Sequence, residues 1–323
     1  MDIILSGSIA YDYLMRFPGR FTDHFIAEDL HRVSLSFLVE DMTKHWGGVA
    51  ANIAYTLALL GARPKLMGTV GRDFGDYRQW LETVGVDCST VRQYDDVFTA
   101  SFFANTDLEN NQIASFYAGA MTRAREVGLG DVFNGKPDLV VISPNDPLAM
   151  SRLAQECRDH NVRFIYDPSQ QVPRLTGDEL RHDMQGAYVM IVNAYEAGII
   201  CSKTGYTLDD LRAIVDVLII TNGKQGATIY DGANVLEVPV FPEAFMREPT
   251  GVGDAFRAGL IRGITLGFDW YLSGLMGSLC ATYVIEQTGT QNHRFTVPEF
   301  VERFRTAFDD RGELDRLMAA VSP

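Results

Sequence analysis

Residues 247–259, REPTGVGDAFRAG, combine residue types that suit the transfer of a negatively charged group. Gly251 and Gly253 leave the backbone free of side chains, so its N–H groups are open to an anion. Asp254 follows directly, and its carboxylate would repel an anion. The spacing therefore predicts a cradle for an anion with a negative charge directly beside it.

A helix is predicted to begin at this stretch and to complete the anion site. Pro249 prevents the helix from extending backwards and Thr250 is a good N-cap, so the helix should begin near Gly251. The first-turn amides of a helix have no partners within it, and the helix dipole attracts anions to that end. The spacing alone also fits an ordinary N-terminus, in which Asp254 only stabilises the first turn.

Two common nucleotide-binding motifs are excluded by the sequence. A dinucleotide fingerprint requires G-x-G-x-x-G, whereas Phe256 stands at the place of the third glycine. No apolar strand run ends directly before the stretch either. The chain also contains no G-x-x-x-x-G-K-[ST] sequence, which excludes a P-loop nucleotide hydrolase.

Three further stretches place glycines and polar side chains where predicted elements begin or end. HWGGVAANIAYTLALLG at 45–61 puts Gly48 ahead of a helix that carries Asn52. NAYE at 193–196 follows a predicted strand, and TNGKQG at 221–226 follows another. The positions of interest in these two stretches are Asn193, Glu196, Thr221, Gly223 and Gly226. Each stretch alone also fits a polar helix start or a simple turn.

The chain from residue 138 onward alternates apolar strands with helices. The predicted strands are DLVVIS, VRFIYD, AYVMIVN and VDVLIIT, and the predicted helices include 146–160, 176–186, 251–267, 270–287 and 297–310. Strands that alternate with helices predict a parallel sheet covered on both faces. Because ligands bind at the carboxyl ends of such strands, Asp167, Asn193 and Thr221 become candidates for a site.

The N-terminal part adds a different kind of element. Residues 2–6 are predicted as a buried strand, and a helix is predicted from Val49 to Leu60. Alternating apolar and polar residues in YDYLMRFPGRF and at 97–105 and 111–118 predict half-exposed strands. We expect an α/β fold with one large domain and a small β element. The large domain would take residues 1–9, 46–94 and 121–323, and the small element 10–45 and 95–120.

Composition places the 323-residue chain among ordinary globular proteins. Hydrophobic residues make up 46% and charged residues 22%, which argues against disorder. The net charge is −14 and no run of Lys or Arg offsets it, so neither nucleic acid nor a membrane is an expected partner. Four widely spaced cysteines without a C-x-x-C pair, and an N-terminus without a signal-peptide pattern, predict a cytoplasmic protein.

In this order, the four stretches resemble those of the ribokinase-like (PfkB) superfamily of ATP-dependent carbohydrate and nucleoside kinases. The similarity spans nearly the whole chain and is greatest to the bacterial adenosine kinases. It lies in GSIAYDYLMRFPGRF, LHRVSLSFLVEDM, GGVAANIAY, QIASFYAGAM, DPSQQVPRL and PTGVGDAFRAG. The resemblance implies a three-layer α/β/α domain with a mostly parallel central sheet and a small β-sheet lid. It also implies ATP-dependent phosphorylation of the 5′-hydroxyl of adenosine to AMP, as in purine salvage.

The resemblance also implies roles for the residues that would surround the transferred group. Asp254 would be the catalytic base, and the amides of Gly251, Val252, Gly253 and Asp254 would form the anion hole. Such an arrangement suits phosphoryl transfer, which depends on positioning and on stabilising spread negative charge. The residues implied to bind ATP are Asn193, Thr221, Gly223 and Gly226, and those implied to organise Mg²⁺ and its waters are Asn193 and Glu196.

For the nucleoside, the resemblance implies a clamp on the ribose and a stack on the base. Asp12, the Gly48 amide and Asn52 would bind the cis-diol, while Phe102 and Phe116 on the lid would stack on the base. The further positions that match the adenosine site are Ser8, Gln170, Gln171 and Arg174. Taken singly, Asp12 also fits a solvated turn, and the two phenylalanines also fit a core.

Some features depart from the superfamily pattern or stay open. Glu248-Pro249-Thr250 replaces the usual Asp-Thr-Thr, and Val252 replaces the usual alanine, although the similar adenosine kinases share the proline and the valine. Some relatives bind a monovalent cation such as K⁺ near the anion hole, and Glu248 is a candidate to assist it. A homodimer through the lid edge is compatible with the resemblance. Another nucleoside kinase, a pentose or ribose kinase, and a nucleoside-binding regulator without turnover stay open as alternatives.

Overall fold

The computed structural model describes residues 1–25, 32, 34–133 and 135–320, and all structural statements concern this part of the chain. Its strands, in chain order, are β1 Ile3–Ser6, β2 Ala10–Arg16, β3 Asp41–Gly47, β4 Lys65–Met67, β5 Thr69–Gly71, β6 Arg92–Tyr94, β7 Ala100–Thr106, β8 Gln112–Tyr117, β9 Leu139–Ile142, β10 Phe164–Tyr166, β11 Val189–Asn193, β12 Val217–Thr221, β13 Ala227–Asp231 and β14 Asn234–Val238. Its α-helices are α1 Val49–Leu59, α2 Gly75–Val84, α3 Leu129–Val132, α4 Pro147–Asp159, α5 Gly177–Met184, α6 Ala194–Thr204, α7 Leu208–Ile214, α8 Val252–Thr265, α9 Trp270–Ile285, α10 Val297–Phe304 and α11 Asp315–Ala319. Residues 26–31 and 33, which belong to the predicted lid segment 10–45, lie outside the described residues.

The large sheet holds eight of the described strands in the order β14-β13-β12-β11-β10-β9-β1-β4. Pairing is parallel from β12 through β4, and antiparallel between β12 and β13 and between β13 and β14. The predicted mostly parallel sheet is therefore confirmed. The parallel strands are short apolar runs because helices cover both of their faces.

Side chains of successive residues in the central strands enter two separate cores. Ile3 and Leu5 pack in the cluster that includes residues of α1, α8 and α9. Ile4, between them, packs in the other cluster with residues of α4, α5 and α6. Because strand side chains alternate between faces, this division makes three layers, with helices on either side of the sheet.

A separate four-stranded sheet in the order β3-β2-β7-β8 forms the small β element. Its register sets Asp12 opposite Phe102, and Phe102 opposite Phe116, so these side chains share one face. Strand β7 begins at Ala100 rather than at residue 97, because the Thr99 amide and hydroxyl are bonded to the Asp73 carboxylate. The boundaries of the two parts, and the role of this sheet as a lid, stay predictions.

The predicted helices agree closely with the structure except for the last of the three closing helices. Helix α10 ends at Phe304 instead of continuing to residue 310. The Arg305 guanidinium pairs with the Asp310 carboxylate, which also accepts a hydrogen bond from the Leu314 amide, and these bonds hold the chain in a turn. In the described part of the chain, no helix combines the length and the apolar character needed to cross a lipid bilayer.

Helices α8 and α9 approach each other closely through glycines. A Cβ atom at Gly259 would lie 2.5 Å from the Met276 carbonyl oxygen and 2.7 Å from the Gly277 Cα. A Cβ atom at Gly277 would lie 2.6 Å from the Phe256 carbonyl oxygen. These backbones leave no space for a methyl group, and the contact fixes where the N-terminus of α8 stands.

Substituting Gly259→Ala should force α8 away from α9 and lower the free energy of unfolding by about 1–3 kcal/mol. This loss should appear although alanine favours a helix by about 1 kcal/mol over glycine. Gly198→Ala in α6 is the matched control, because that exposed glycine has no atom within 4 Å of an added Cβ. Urea denaturation should give opposite signs for the two variants, and a stabilised Gly259→Ala variant would contradict the close packing.

Candidate active site

The N-terminus of α8 is open because a glycine, and not a side chain, caps it. Gly251 is the N-cap, with a left-handed backbone (φ 80°) and no side-chain cap, so the prediction that Thr250 caps the helix is wrong. The turn that brings the Val252 amide within 3.4 Å of the Pro249 carbonyl oxygen places Gly251 in this conformation. A Cβ atom there would also lie 2.8 Å from the Thr290 Cγ2. The Gly253 and Asp254 amides find no acceptor among the described residues.

Asp254 is held from across the site by Asn52 of α1. The Asn52 Nδ2 donates to the Asp254 Oδ2 at 2.8 Å. Burial raises the pKa of Asp254, while the Arg257 guanidinium and the Asn52 hydrogen bond oppose that rise. The carboxylate is therefore positioned and stays available as a proton acceptor.

Arg257 places a buried positive charge beneath the same helix end. Its Nη2 donates to the Asp167 Oδ1 at 2.6 Å, and its Nε lies 2.6 Å from the Oδ2 as a close charge contact without hydrogen-bond geometry. A Cβ atom at Gly253 would lie 2.7 Å from the Arg257 Nη1, so the guanidinium reaches back to the first turn. Burial raises the pKa of Asp167 to about 7, although the Arg257 charge opposes this. Sequence analysis missed Arg257, and its four-residue spacing from Gly253 was the available signal.

A cavity of about 930 Å³ lies between the two sheets at the carboxyl ends of the large-sheet strands. The residues to which the resemblance gives a role at the nucleoside, ATP or phosphoryl site line it, namely Ser8, Asp12, Gly48, Asn52, Phe102, Phe116, Gln170, Gln171, Arg174, Asn193, Glu196, Thr221, Gly223, Gly226, Gly251, Val252, Gly253 and Asp254. The other two candidates, Asp167 and Glu248, do not belong to its described lining. The structure thus brings residues from distant parts of the chain to one cavity. Their individual roles stay predictions.

One end of the cavity is built around Asp12 on β2. A Cβ atom at Gly47 would lie 2.5 Å from the Asp12 Oδ2, so only a glycine fits beside the carboxylate. Gly48 has a left-handed backbone (φ 94°), and Ser8 Oγ accepts the Val49 amide at 3.0 Å. Burial raises the pKa of Asp12 to about 6, and the negative charges of Glu248 and Asp254 add to the rise.

Polar and aromatic side chains complete this end. Phe102 and Phe116 lie beside Asp12 on the same face of the small sheet, with Phe116 51% exposed. Gln171, in the 3₁₀ turn Ser169–Gln171, is 5% exposed, and its Oε1 has no hydrogen-bond partner among the described residues. A buried acceptor without a partner at a cavity wall is suited to a ligand that donates a hydrogen bond.

The other end of the cavity lies at the ends of β11 and β12. Asn193 and Glu196 form a capping box at the start of α6. The Glu196 amide donates to the Asn193 Oδ1 at 2.8 Å, and the Asn193 amide donates to the Glu196 Oε2 at 2.8 Å. Gly226 has a left-handed backbone (φ 88°), and a side chain there would collide with the Val238 carbonyl. Sequence analysis missed further residues that line the cavity, which include Lys224, Val240, Phe241, Ala281, Thr282 and Ile285.

The described residues contain no cluster of three His, Cys, Asp or Glu side chains that could hold a metal ion. Glu196 is 8% exposed and lines the cavity, and its Oε1 is not used in the cap. This oxygen fits a hard cation that keeps several waters and takes other ligands from a phosphate. Glu248 Oε2 accepts a hydrogen bond from the Gly289 amide at 2.9 Å.

Comparisons with known proteins agree with this geometry. The sequence profile of the pfkB family carbohydrate kinases matches residues 8–296. A nucleoside kinase of Methanocaldococcus jannaschii is 28% identical over 299 residues, which cover 92% of this chain and 94% of that protein. The structure of Burkholderia thailandensis nucleoside kinase in complex with inosine has a TM-score of 0.84 and 38% identity, with 95% of this chain and 98% of that chain covered. The M. jannaschii kinase structure, described as an archaeal member of the ribokinase family, has a TM-score of 0.84 and 27% identity, with 94% and 98% covered.

These similarities confirm the predicted ribokinase-like fold and the predicted superfamily. They do not support the predicted closeness to bacterial adenosine kinases in particular, because the relatives described above are named nucleoside kinases. The matched residues include the cavity from Ser8 to Asp254 and the loop that follows α9. The chain belongs to the pfkB family of carbohydrate kinases.

Proposed function

We propose that this protein transfers the γ-phosphoryl group of ATP to the 5′-hydroxyl of a purine nucleoside, with adenosine as the first candidate. The observation that carries the proposal is the single cavity that joins Asp254 and the open helix end to Asp12 on one side and Thr221 on the other. The Burkholderia nucleoside kinase, described with inosine and with ADP-inosine, supports a nucleoside acceptor and makes inosine the second candidate. A cytoplasmic location is part of this proposal, because the proposed reaction consumes ATP.

Asp254 would take the proton of the attacking hydroxyl. Asn52 holds its Oδ2 at 2.8 Å, which leaves the Oδ1 for the substrate. The hydroxyl oxygen would form a bond to the γ-phosphorus while the bond to the ADP oxygen breaks, and the hydroxyl proton would pass to the carboxylate. The raised pKa of Asp254 makes it a stronger base than an exposed aspartate.

The first turn of α8 would stabilise the negative charge that spreads over the transferred group. The amides of Gly253 and Asp254 are free, and the helix end carries about half a positive charge. Arg257 adds a full charge beneath them and is kept in place by Asp167. Fixed donors in a site from which water is removed act strongly on such a transition state.

Mg²⁺ is the cofactor that we propose with ATP. Glu196, with Asn193 beside it, would hold the ion through water at the ATP end of the cavity. When bound, the ion neutralises phosphate charge. The capping bonds between Asn193 and Glu196 fix the Glu196 carboxylate, so its free oxygen faces one direction.

A purine nucleoside would meet three kinds of contact at the Asp12 end. The Asp12 carboxylate would accept hydrogen bonds from the ribose diol, and Phe102 and Phe116 would cover the base. The unpartnered Oε1 of Gln171 would accept from the base edge. The adenine amino group and the hypoxanthine N1–H are both donors, so this contact favours adenosine and inosine alike.

A substrate panel of adenosine, inosine, guanosine, cytidine and ribose tests the proposal. Mg²⁺-dependent ADP formation should be most efficient with adenosine or inosine. Ribose should have a kcat/KM lower by about 100-fold, since base stacking contributes about 1–3 kcal/mol per base. An enzyme that phosphorylates ribose as efficiently as any nucleoside, or phosphorylates none of the five, would refute the proposed acceptor.

The KM for the nucleoside should rise as the pH falls through about 6, because protonated Asp12 loses its capacity to accept two hydrogen bonds. Asp12→Asn should raise this KM by about 10- to 100-fold and remove its pH dependence, since hydrogen bonds to a charged group contribute about 1.5–3 kcal/mol. Asp41→Asn, an exposed position on the neighbouring strand β3, serves as the control. Steady-state kinetics between pH 5 and 8 measure both parameters, and a KM of the unchanged protein that stays flat through pH 6 would contradict the role of Asp12.

A further inference from the structure

The Asn52 amide that holds Asp254 is itself held by the loop between α9 and α10. Its Oδ1 accepts a hydrogen bond from the Gln291 Nε2 at 3.0 Å, and the Thr290 hydroxyl lies 2.9 Å from the same atom. With its oxygen occupied in this way, Asn52 can present only its Nδ2 to Asp254. The Gln291 and Thr290 donors therefore determine which way the Asn52 amide points.

Trp80 of α2 fixes the direction of the Gln291 amide in turn. The Trp80 Nε1 donates to the Gln291 Oε1 at 3.0 Å. An indole nitrogen donates and never accepts, so the Gln291 oxygen must face Trp80 and its Nε2 must face Asn52. The second hydrogen of this Nε2 is directed to the Tyr77 hydroxyl at 2.6 Å. Trp80, which can only donate, thus sets the direction of the Gln291 amide, and Gln291 sets that of the Asn52 amide.

Gln291 lies outside the reacting site. It is 2% exposed and does not belong to the described residues that line the cavity. All of its side-chain polar atoms have partners in α1 or α2. Gln291 can therefore act on the cavity by two routes, through Asn52 or through the Tyr77 hydroxyl, which donates to the Gly47 carbonyl. Of the two, the route through Asn52 is the one that reaches Asp254.

We propose that Gln291 is a positioning residue that orients the Asn52 amide, and through it the Asp254 carboxylate, for phosphoryl transfer. The inference rests on the function proposed above. With Asn52 held, the Asp254 Oδ2 has a fixed donor and the Oδ1 is left for the hydroxyl. Without Gln291, the Asn52 Oδ1 is left only with the Thr290 hydroxyl, whose single hydrogen can also go to the Trp46 carbonyl, so the amide is held less firmly.

Gln291→Met tests this, because methionine has a similar length and neither donates nor accepts through an amide. We expect kcat to fall by about 10- to 100-fold, the range of a lost hydrogen bond to a charged group, with the KM for ATP nearly unchanged. The acid limb of the kcat–pH profile should move to higher pH, since Asn52 lowers the pKa of Asp254. The other charged groups that act around Asp254 are Arg257 on α8, Asp12 on β2, Asp167 after β10 and Glu248 before α8, and the substitution changes none of them.

A double-mutant cycle separates positioning from a general loss of structure. In an Asn52→Ala background, Gln291→Met should reduce kcat no further, because the two residues act in series. Gln79→Met on the exposed face of α2 is the matched control and should leave kcat and the pH profile unchanged. Thermal melting of each variant records its folding.

Three outcomes would be decisive. A Gln291→Met enzyme with the original kcat and pH profile would overturn the inference. An equal loss in the presence and absence of Asn52 would also overturn it, because Gln291 would then act by another route. If the unchanged protein phosphorylates no nucleoside, the proposed function fails instead, so the two failures are distinguishable.

Discussion

The first turn of α8 would have to bind a negatively charged phosphoryl group although it also carries the negatively charged Asp254. Most of the site can be understood as a way to separate these two negative groups. The amides stay free because Gly251 caps the helix with its backbone. A side chain that capped the helix would occupy those amides, and a Cβ atom at position 251 would press against Thr290. The carboxylate of Asp254 stays in place because Asn52 holds it from the opposite wall. Nucleophile and electrophile would therefore meet at one helix end without competing for the same groups.

Buried side chains of alternating charge continue from the helix end into the core. Arg257 offsets Asp254 from below, and Asp167 keeps the guanidinium buried and directed. A buried ion pair contributes little net stability, but removal of one partner leaves an unpaired buried charge, which costs about 3–5 kcal/mol. Burial raises the pKa of Asp12, and the negative charges of Glu248 and Asp254 raise it further. The same charges favour an uncharged substrate over an anionic one at this end of the cavity. The excess of negative groups around the site supports the proposal that ATP binds together with a cation.

Sequence reasoning predicted the sheet and most helices because their signals are local. Apolar runs such as Val217–Thr221 mark buried strands, and the glycines around Gly48 and Gly251 mark close backbone approach. The same reasoning placed Thr250 as the N-cap, because it did not foresee the turn that puts Gly251 in the left-handed conformation, nor the contact with Thr290 that leaves no space for a side chain there.

The sequence holds no local pattern that identifies residues whose partners lie far away along the chain. Gln291 contacts residues 211 and 239 positions away in the chain, and nothing in its own neighbourhood indicates Trp80 or Asn52. Arg257 was visible only as a residue one turn beyond Gly253, and its partner Asp167 lies 90 positions away. The apolar wall formed by Ala281 and Ile285 was hidden because α9 is apolar on nearly all sides. Such contacts follow from the tertiary fold and not from local periodicity.

Asp254→Asn tests the central claim most directly, because the variant keeps the shape of the side chain and an oxygen for Asn52 while it removes the base. Asp210→Asn is the matched control, since Asp210 occupies the third position of α7 as Asp254 does in α8, but lies exposed at the surface. Single-turnover phosphorylation of adenosine or inosine should be slower by about 10²- to 10⁴-fold in Asp254→Asn, with ATP binding retained and the Asp210→Asn rate unchanged. Transfer by Asp254→Asn at nearly the original rate would show that another group takes the proton, and the account of the helix end would be wrong.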